Sequence, residues 1–312
     1  MQAMTGVIVV VRIACSFKTP DPFVRLLHEK SRRWARRQLE WSLMTEEAVV
    51  RNTEQPRTVA SLSADLRALG LREGMSVLVH SSMSSLGWVV GGTQSIIQAL
   101  TDTLGESGTL VMPAFCCNSD PRDWQNPPIP ESWWQVVRDD MPAFDPRQTP
   151  TWRLGQIPEA FRSWPGVKRS AHPALSFCAW GKHSDTVTRN HELHNSHGEG
   201  SPLARLYELN AHVLLEGVGH DRNTSLHLAE YRAEWPSKHV VDQGAAMFID
   251  GQRTWATYHE VLFAPADFPR IGAAFEATGA CGTGKIGNAP AKLMSQVALI
   301  DFASDWIHAH RR

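Results

Sequence analysis

The sequence HSSMSSLGWVVGGT, residues 80–93, carries the strongest indication of the fold. The apolar run 76–79 before it predicts a buried strand, and apolar side chains at helical spacing over 94–100 predict a helix after it. This order of strand, loop of small residues and helix start can bind an anion. Glycines let the backbone come close to the ligand, and the free N–H groups of the first helical turn point at it. Thr93 is the predicted N-cap. A tight strand-to-helix turn without a ligand would show the same pattern.

Helices and strands alternate along the rest of the chain. The pattern predicts helices over 58–70, 93–104, 152–163 and 289–308, and strands over 76–79, 108–113, 174–179, 212–218 and 246–249. This alternation predicts an α/β fold with a largely parallel central sheet covered by helices. Residues 118–150 are rich in proline and tryptophan, and so long a loop indicates a functional or mobile insertion on the substrate side.

The first 43 residues differ from the rest in charge. They carry eight Lys and Arg against three Asp and Glu, a net of +5, whereas the remaining chain carries −6. The basic cluster 32–37 with its tryptophan would suit an amphipathic helix on a membrane surface. However, the stretch MTEE at 44–47 is typical of a protein start. We therefore expect residues 1–50 to be a poorly ordered extension and residues 51–312 to form one domain.

Composition excludes several classes of protein. An apolar fraction of 42% and a net charge of −1 are ordinary for a soluble globular protein, and no apolar run reaches the ~20 residues of a membrane span. A mildly acidic body does not indicate nucleic-acid binding. The five cysteines, odd in number and without CxxC spacing, fit neither a disulfide framework nor a zinc site, so the cytoplasm is the expected compartment.

Histidine is frequent, with 14 in the chain. Three of them, His191, His194 and His197, are spaced by three and could line one helical face to bind a metal. Asn195, Gly198 and other poor helix formers interrupt that segment. We therefore predict no metal site here.

The second informative stretch is VLLEGVGHDRNTSLHLAE, residues 213–230. It again predicts a strand, a glycine turn and a helix start, with Asn223 or Thr224 as the cap. His227 and Glu230 are three residues apart and share one helical face. An imidazole beside a carboxylate is an arrangement for a general base, because the carboxylate fixes the tautomer and favours the imidazolium that forms. An ion pair on an exposed helix would give the same spacing.

In order and spacing, a series of blocks over residues 50–312 resembles the aminoglycoside 3-N-acetyltransferase family. The blocks are VLVHSS at 77–82 with SLG at 85–87 and GG at 91–92, MPAF at 112–115, FDP at 144–146 with TP at 149–150, PEAFR at 158–162, RSAHP at 169–173, GEGSPL at 198–203, NTSLHLAE at 223–230 and GKIGNA at 284–289. The resemblance implies a three-layer sandwich unlike the fold of the common small acetyltransferases.

The same resemblance implies transfer of acetyl from acetyl-coenzyme A to the 3-amino group of a 2-deoxystreptamine aminoglycoside. His227 would be the catalytic histidine and Glu230 its acidic partner. The implied coenzyme A contacts are His80, Ser81, Ser82, Ser84, Ser85, Leu86, Gly87, Val90, Gly91, Gly92 and Ser201, and the candidate contacts of the aminoglycoside are Asp145, His172, His191, Glu199 and Asp221. No metal, nucleic acid or membrane partner is expected, and a homodimer is compatible with this interpretation.

Three alternatives stay open at this point. The first keeps acetyl-coenzyme A and changes the acceptor to another amine, and His194 and His197, which depart from the family pattern, bear on that acceptor. The second is a thiol hydrolase that uses Cys116 or Cys117 with a histidine and an acid. The third is an anion-binding protein without catalysis.

Overall fold

The computed structural model describes residues 46–124 and 127–312. Residues Val49–Arg312 form one compact unit, which contains the sheets. The predicted extension over residues 1–50 falls almost wholly outside the described residues and stays a prediction. Across the described ranges, no helix combines the length and the apolar character that a bilayer crossing requires.

Within the described residues, a seven-stranded sheet in the order β3-β4-β2-β1-β5-β9-β8 forms the centre, and β6 and β7 form a separate two-stranded sheet. The strands are β1 Ser76–Ser81, β2 Thr109–Pro113, β3 Lys168–Arg169, β4 Phe177–Gly181, β5 His212–Glu216, β6 Val240–Ile249, β7 Gln252–Val261, β8 Cys281–Ile286 and β9 Ala289–Ser295. The helices are α1 Glu46–Arg51, α2 Val59–Leu69, α3 Thr93–Leu104, α4 Trp134–Asp140, α5 Gln156–Arg162, α6 Ser184–Thr188, α7 Pro202–Glu208, α8 Ser225–Arg232, α9 Phe268–Glu276 and α10 Gln296–His310.

Local signals set the ends of α2 as the sequence predicts. Thr58 is the N-cap, and its hydroxyl accepts from the Ser61 amide while the Ser61 hydroxyl accepts from the Thr58 amide, which forms a capping box. Gly70 ends the helix in the left-handed region, with φ at 118°. The predicted helix over 58–70 is therefore confirmed to within one residue at each end.

The α/β prediction is confirmed, but the sheet is mixed rather than largely parallel. Only the central pairs β1–β2 and β1–β5 are parallel, whereas β2–β4, β3–β4, β5–β9 and β8–β9 are antiparallel. One cause is local, because β8 and β9 are joined by Gly287 and Asn288 alone, and a two-residue turn can join only antiparallel strands.

The predicted helix over 289–308 is wrong in its first third. Residues Ala289–Ser295 form β9, and α10 begins only at Gln296. The side chains of Ala289, Ala291 and Leu293 alternate with more exposed ones, which is the period of a strand rather than of a helix.

Helices cover both faces of the sheet and confirm the three-layer arrangement. Val77 and Val79 pack with α2, α3 and α5 on one face, because successive side chains of a strand point to opposite sides. Leu78 and Leu215 pack with α7, α8, α9 and α10 on the other. Burying each such side chain is worth about 1.5–3 kcal/mol, so the two apolar layers hold the sheet between them.

The parallel pairing of β1 with β5 positions the candidate site. Their register runs from Val77 opposite His212 to Ser81 opposite Glu216. Because parallel strands end at the same edge, the segment after β1 and the segment after β5 leave the sheet side by side.

Candidate active site

The loop at residues 82–92, which follows β1, is held in place from three sides. The Ser82 amide donates to the Glu216 carbonyl at 2.9 Å, and the Asn288 amide donates to the Leu86 carbonyl at 3.0 Å. The Arg57 amide donates to the Trp88 carbonyl at 2.8 Å, and the Val90 amide donates to the Arg57 carbonyl at 2.9 Å. The loop therefore presents a fixed shape to a ligand.

Three glycines of this loop require the left-handed region. Gly87, Gly91 and Gly92 have φ values of 86°, 76° and 58°. Gly92 is the N-cap of α3 and Thr93 is the first helical residue, so the predicted cap is one position late. Since Gly92 has no side chain to cap the helix, the first amides of α3 have no side-chain acceptor and suit an anion.

The predicted coenzyme A residues of the loop differ in exposure. Ser84, Val90 and Gly91 are exposed, and Ser81, Ser82, Ser85 and Gly92 are half-buried. The hydroxyls of Ser82 and Ser85 lie 3.0 Å apart. Gly87 is buried, and Leu86 is buried in the core at 0% exposure, so its side chain is not available to a ligand and only its backbone could make the predicted contact.

The candidate base, His227, lies on α8 with its ring hydrogen-bonded to Glu230. The His227 Nδ1 is 2.7 Å from Glu230 Oε2, and the two side chains are 16% and 0% exposed. The sequence predicts this pairing, and the structure shows that the ring is half-buried rather than on a solvated helix face.

Glu230 is held on its other oxygen by two donors. Its Oε1 accepts from the Arg311 Nη1 at 2.7 Å and from the Ala264 amide at 2.9 Å. A carboxylate that accepts in this way from a guanidinium is ionised, so Nδ1 of His227 carries the proton. The Nε2 of His227 is then the acceptor, and within the described part of the chain it has no hydrogen-bond partner.

Aromatic rings surround His227. The centroid of Phe263 is 4.3 Å from that of His227, Phe268 is 5.0 Å away and His197 is 5.2 Å away. The ring of His197 is buried, its Nδ1 contacts the Ser196 hydroxyl at 3.1 Å, and its Nε2 has no partner among the described residues. The sequence gives no sign that His197 lies beside the base, because the two are thirty positions apart with no shared periodicity.

His80 is the last but one residue of β1 and is buried on the same side of the sheet as Leu78, which is the side that α8 covers. Burial and, to a smaller extent, electrostatic repulsion from His227 together lower the pKa of His80 to about 3. Its Nε2 is buried without a partner among the described residues. A buried polar atom without a partner costs about 1–3 kcal/mol, and such atoms in native proteins are typical of functional sites.

His172 and His191 are interior residues, so the prediction that they contact an aminoglycoside finds no support in their positions. The Nδ1 of His172 accepts from the amides of Ala174 and Leu175, at 3.2 and 3.0 Å. In His191, Nδ1 accepts from the Ser170 hydroxyl at 2.9 Å, and Nε2 donates to the Ser196 carbonyl at 2.7 Å. Burial lowers the pKa of His172 to about 4 and that of His191 well below its ordinary value.

Ser201 has a structural role, and its contact with coenzyme A stays a prediction. It is 0% exposed and is the N-cap of α7, where its Oγ accepts from the amides of Leu203 and Ala204. A serine at this position satisfies helix amides that would otherwise lack partners.

The three predicted acidic contacts lie at or near the surface and already have partners. Glu199 accepts from Arg232 through both oxygens, at 2.8 and 3.0 Å. Asp221 pairs with the adjacent Arg222 at 3.2 Å, and the Oδ1 of Asp145 accepts from the Arg147 amide at 2.7 Å. The exposed pairs are worth at most about 1 kcal/mol each and could exchange for a cationic ligand.

The geometry disfavours Cys116 as the nucleophile of a thiol hydrolase. The Cys116 thiol is buried and donates to the Pro173 carbonyl at 2.8 Å, and burial raises its pKa to about 11. A thiol in this state is a poor nucleophile at neutral pH, because the thiolate is the reactive form. Across the described residues, no group of three or more His, Cys, Asp or Glu side chains is arranged to hold a metal ion.

Comparison with known proteins agrees with the geometry. The family model for aminoglycoside 3-N-acetyltransferases matches residues 78–308. The SPbeta prophage-derived aminoglycoside N(3')-acetyltransferase-like protein YokD of Bacillus subtilis (strain 168) is 48% identical over 260 residues, which cover 83% of this chain and 95% of YokD. Aminoglycoside N(3)-acetyltransferase VII of Streptomyces paromomycinus is 35% identical over 278 residues, covering 85% of this chain and 96% of that relative.

Solved structures show the same fold. The crystal structure of YokD from Bacillus subtilis superposes with a TM-score of 0.82 at 47% identity, covering 85% of this chain and 98% of YokD. A structure of AAC-IIIb in binary complex with CoASH gives 0.74 at 32% identity, with 82% and 98% covered. AAC-VIa bound to sisomicin gives 0.75 at 27% identity, with 82% and 99% covered. The chain therefore belongs to the aminoglycoside 3-N-acetyltransferase family.

Proposed function

We propose that this protein transfers the acetyl group of acetyl-coenzyme A to the 3-amino group of a 2-deoxystreptamine aminoglycoside. The observation that carries the proposal is the His227–Glu230 pair. The Nδ1 of the half-buried His227 ring lies 2.7 Å from Glu230 Oε2, so its Nε2 is free to accept a proton. Membership of the family and the sisomicin bound to AAC-VIa support the choice of acceptor.

The 82–92 loop and the start of α3 would hold the pantetheine and pyrophosphate of coenzyme A. Support comes from the left-handed glycines, the half-buried serines and the uncapped helix amides, all of which suit phosphate oxygens. The fixed anchoring of the loop at Arg57 and Asn288 keeps these donors in place before the ligand arrives. The complex of AAC-IIIb with CoASH supports coenzyme A as the ligand.

The reaction requires a base because the acceptor amine is mostly an ammonium at neutral pH, and an ammonium has no electron pair to attack a thioester. The amine that attacks the carbonyl carbon has first lost one proton to solvent, and the Nε2 of His227 removes a second proton from the nitrogen as the C–N bond forms. The new C–N bond forms, the C–S bond breaks, and the proton passes from the imidazolium to the departing thiolate. Glu230 stabilises the imidazolium, and backbone amides of the 82–92 loop are candidates to stabilise the tetrahedral oxyanion.

The other ammonium groups of the aminoglycoside need carboxylates or neutral hydrogen-bond acceptors at the site. Asp145, Glu199 and Asp221 stay the proposed contacts, and Glu199 and Asp221 have exposed carboxylates that could exchange an arginine for a substrate ammonium. The mildly acidic body of the chain favours approach of a polycation. In the cell, such a reaction in the cytoplasm would inactivate the antibiotic by neutralising one of its charges.

The test is release of free thiol from acetyl-coenzyme A in the presence of gentamicin, kanamycin, apramycin and a 3-N-blocked analogue. The proposal requires release with at least one acceptor that has a free 3-amine and none with the blocked analogue. Binding of coenzyme A without release for any aminoglycoside would refute the acceptor and point to another amine.

A further inference from the structure

Arg311, which follows α10, is buried beside the candidate base. Its side chain is 8% exposed, although arginines are usually solvated. Its Nη1 donates to Glu230 Oε1 at 2.7 Å, and its Nη2 donates to the Ala264 carbonyl at 2.9 Å. Arg311 lies outside residues 78–308, the segment that the family model matches.

The guanidinium lies between two carboxylates. Besides Glu230, Arg311 binds Asp267 through Nε and Nη2, at 2.9 and 2.7 Å. Its plane also lies over the ring of Trp235, with 4.9 Å from the guanidinium carbon to the ring centroid. The rigid fork of an arginine fits two carboxylates at fixed angles, which a lysine cannot do.

The contacts of Glu230 show what this arrangement controls. Its carboxylate is 0% exposed, Oε2 accepts from His227, and Oε1 accepts from Arg311 and the Ala264 amide. Without the guanidinium, a carboxyl buried at this depth would favour its neutral form. A neutral carboxyl could donate to Nδ1 of His227, which would place the imidazole proton on Nε2 and abolish the base.

We propose that Arg311 is a positioning residue for acetyl transfer, which acts through Glu230 to keep the proton of His227 on Nδ1 and Nε2 free as the base. This inference rests on the proposed function of His227. Arg311 itself touches neither substrate, and its effect on the rate passes entirely through the carboxylate.

The experiment is a double-mutant cycle between Arg311→Gln and Glu230→Gln, read by thiol release under saturating acetyl-coenzyme A. Arg311→Gln alone should lower kcat about tenfold or more and leave KM for acetyl-coenzyme A within about twofold. In the Glu230→Gln background, Arg311→Gln should lower kcat by no more than about a further twofold, because the carboxylate through which Arg311 acts is gone. Arg311→Lys, which keeps one charged donor, should recover part of the loss.

The matched control is Arg270→Gln on α9, since Arg270 is exposed and its guanidinium lies over the Trp306 ring at 5.5 Å. This variant should leave kcat unchanged. If Arg311→Gln lowers kcat by the same factor in wild type and in Glu230→Gln, the proposal is overturned and Arg311 has a purely structural role. If Arg311→Gln does not fold, Arg311→Lys enters the same cycle with the same criterion.

A second readout does not depend on activity. NMR of isotope-labelled histidine reports which ring nitrogen carries the proton, and the signal of His227 is identified by its loss in His227→Gln. Arg311→Gln should shift His227 toward the Nε2–H tautomer, and an unchanged tautomer would overturn the proposal. If wild-type protein acetylates no aminoglycoside, the proposed function fails, while the tautomer comparison still decides the role of Arg311.

Discussion

Glu216, the last residue of β5, carries a buried carboxyl whose titration should be visible in stability. The residue is 1% exposed, and its Oε2 has no hydrogen-bond partner among the described residues. Burial raises the pKa of Glu216 to about 8, from an ordinary value of 4.5. The folded protein therefore keeps this carboxyl neutral over a pH range in which the unfolded chain ionises it.

The direction of the effect follows from linkage. Below about pH 4.5 the carboxyl is protonated in both states and its contribution to stability is fully present. Between about 4.5 and about 8 only the unfolded chain releases the proton, so the free energy of unfolding falls as pH rises and levels off above 8. At about 1.4 kcal/mol per pKa unit, the loss is roughly 4–5 kcal/mol as an upper limit.

The substitution Glu216→Gln keeps the shape of the side chain and removes its titration. Urea unfolding of both proteins should give similar free energies near pH 5, and the variant should be more stable by a few kcal/mol near about pH 9. Glu208→Gln on α7, an exposed site, serves as the control and should follow wild type. Parallel pH profiles for wild type and Glu216→Gln would show that this carboxyl does not stay neutral in the folded protein.

Three further predictions concern local structure and the alternative nucleophile. Ser201→Ala removes the N-cap of α7 and should lower the free energy of unfolding by about 1 kcal/mol, measured in urea; no change would contradict the capping role. Gly217→Ala, at φ 68°, would bring a Cβ 2.5 Å from the Ser85 Cβ and should weaken coenzyme A binding in calorimetry. Gly279→Ala is the control, because Gly279 also has a positive φ, of 79°, but an added Cβ there would meet no atom within 4 Å. Equal affinities for coenzyme A in the two variants would count against the loop assignment. Cys116→Ala should retain thiol release within a few fold, and loss of activity with preserved folding would revive the thiol mechanism.

The parts of the fold that local patterns determine were predictable. The helix over 93–104 and the capped helix ending at Gly70 follow from apolar spacing and turn residues within a few positions. The direction of the outer strands was not predictable from alternation alone, since it depends on which strands pair across the sheet. The Gly287-Asn288 turn carried a local signal for the β8–β9 hairpin, and the alternation of small and apolar residues after it carried a signal for β9.

In the candidate site, too, contacts between residues close in sequence were predictable, whereas contacts between distant residues were not. His227 and Glu230 are three residues apart, so helical geometry alone predicts their contact. Arg311 is 81 positions from Glu230, and no local pattern connects them. The interior roles of His172 and Ser201 were not predictable, because the residue types suit a ligand, whereas their burial and their use as acceptors for backbone amides become visible only in the folded chain.

The role of His227 as the base for acetyl transfer is tested by the kcat of His227→Gln in the thiol-release assay. With coenzyme A affinity checked by calorimetry, we expect affinity to stay within a few fold and kcat to fall on the order of a hundredfold or more. His239→Gln, at an exposed histidine, should leave kcat unchanged. A folded His227→Gln protein that binds coenzyme A and keeps kcat within a few fold of wild type would rule out His227 as the base.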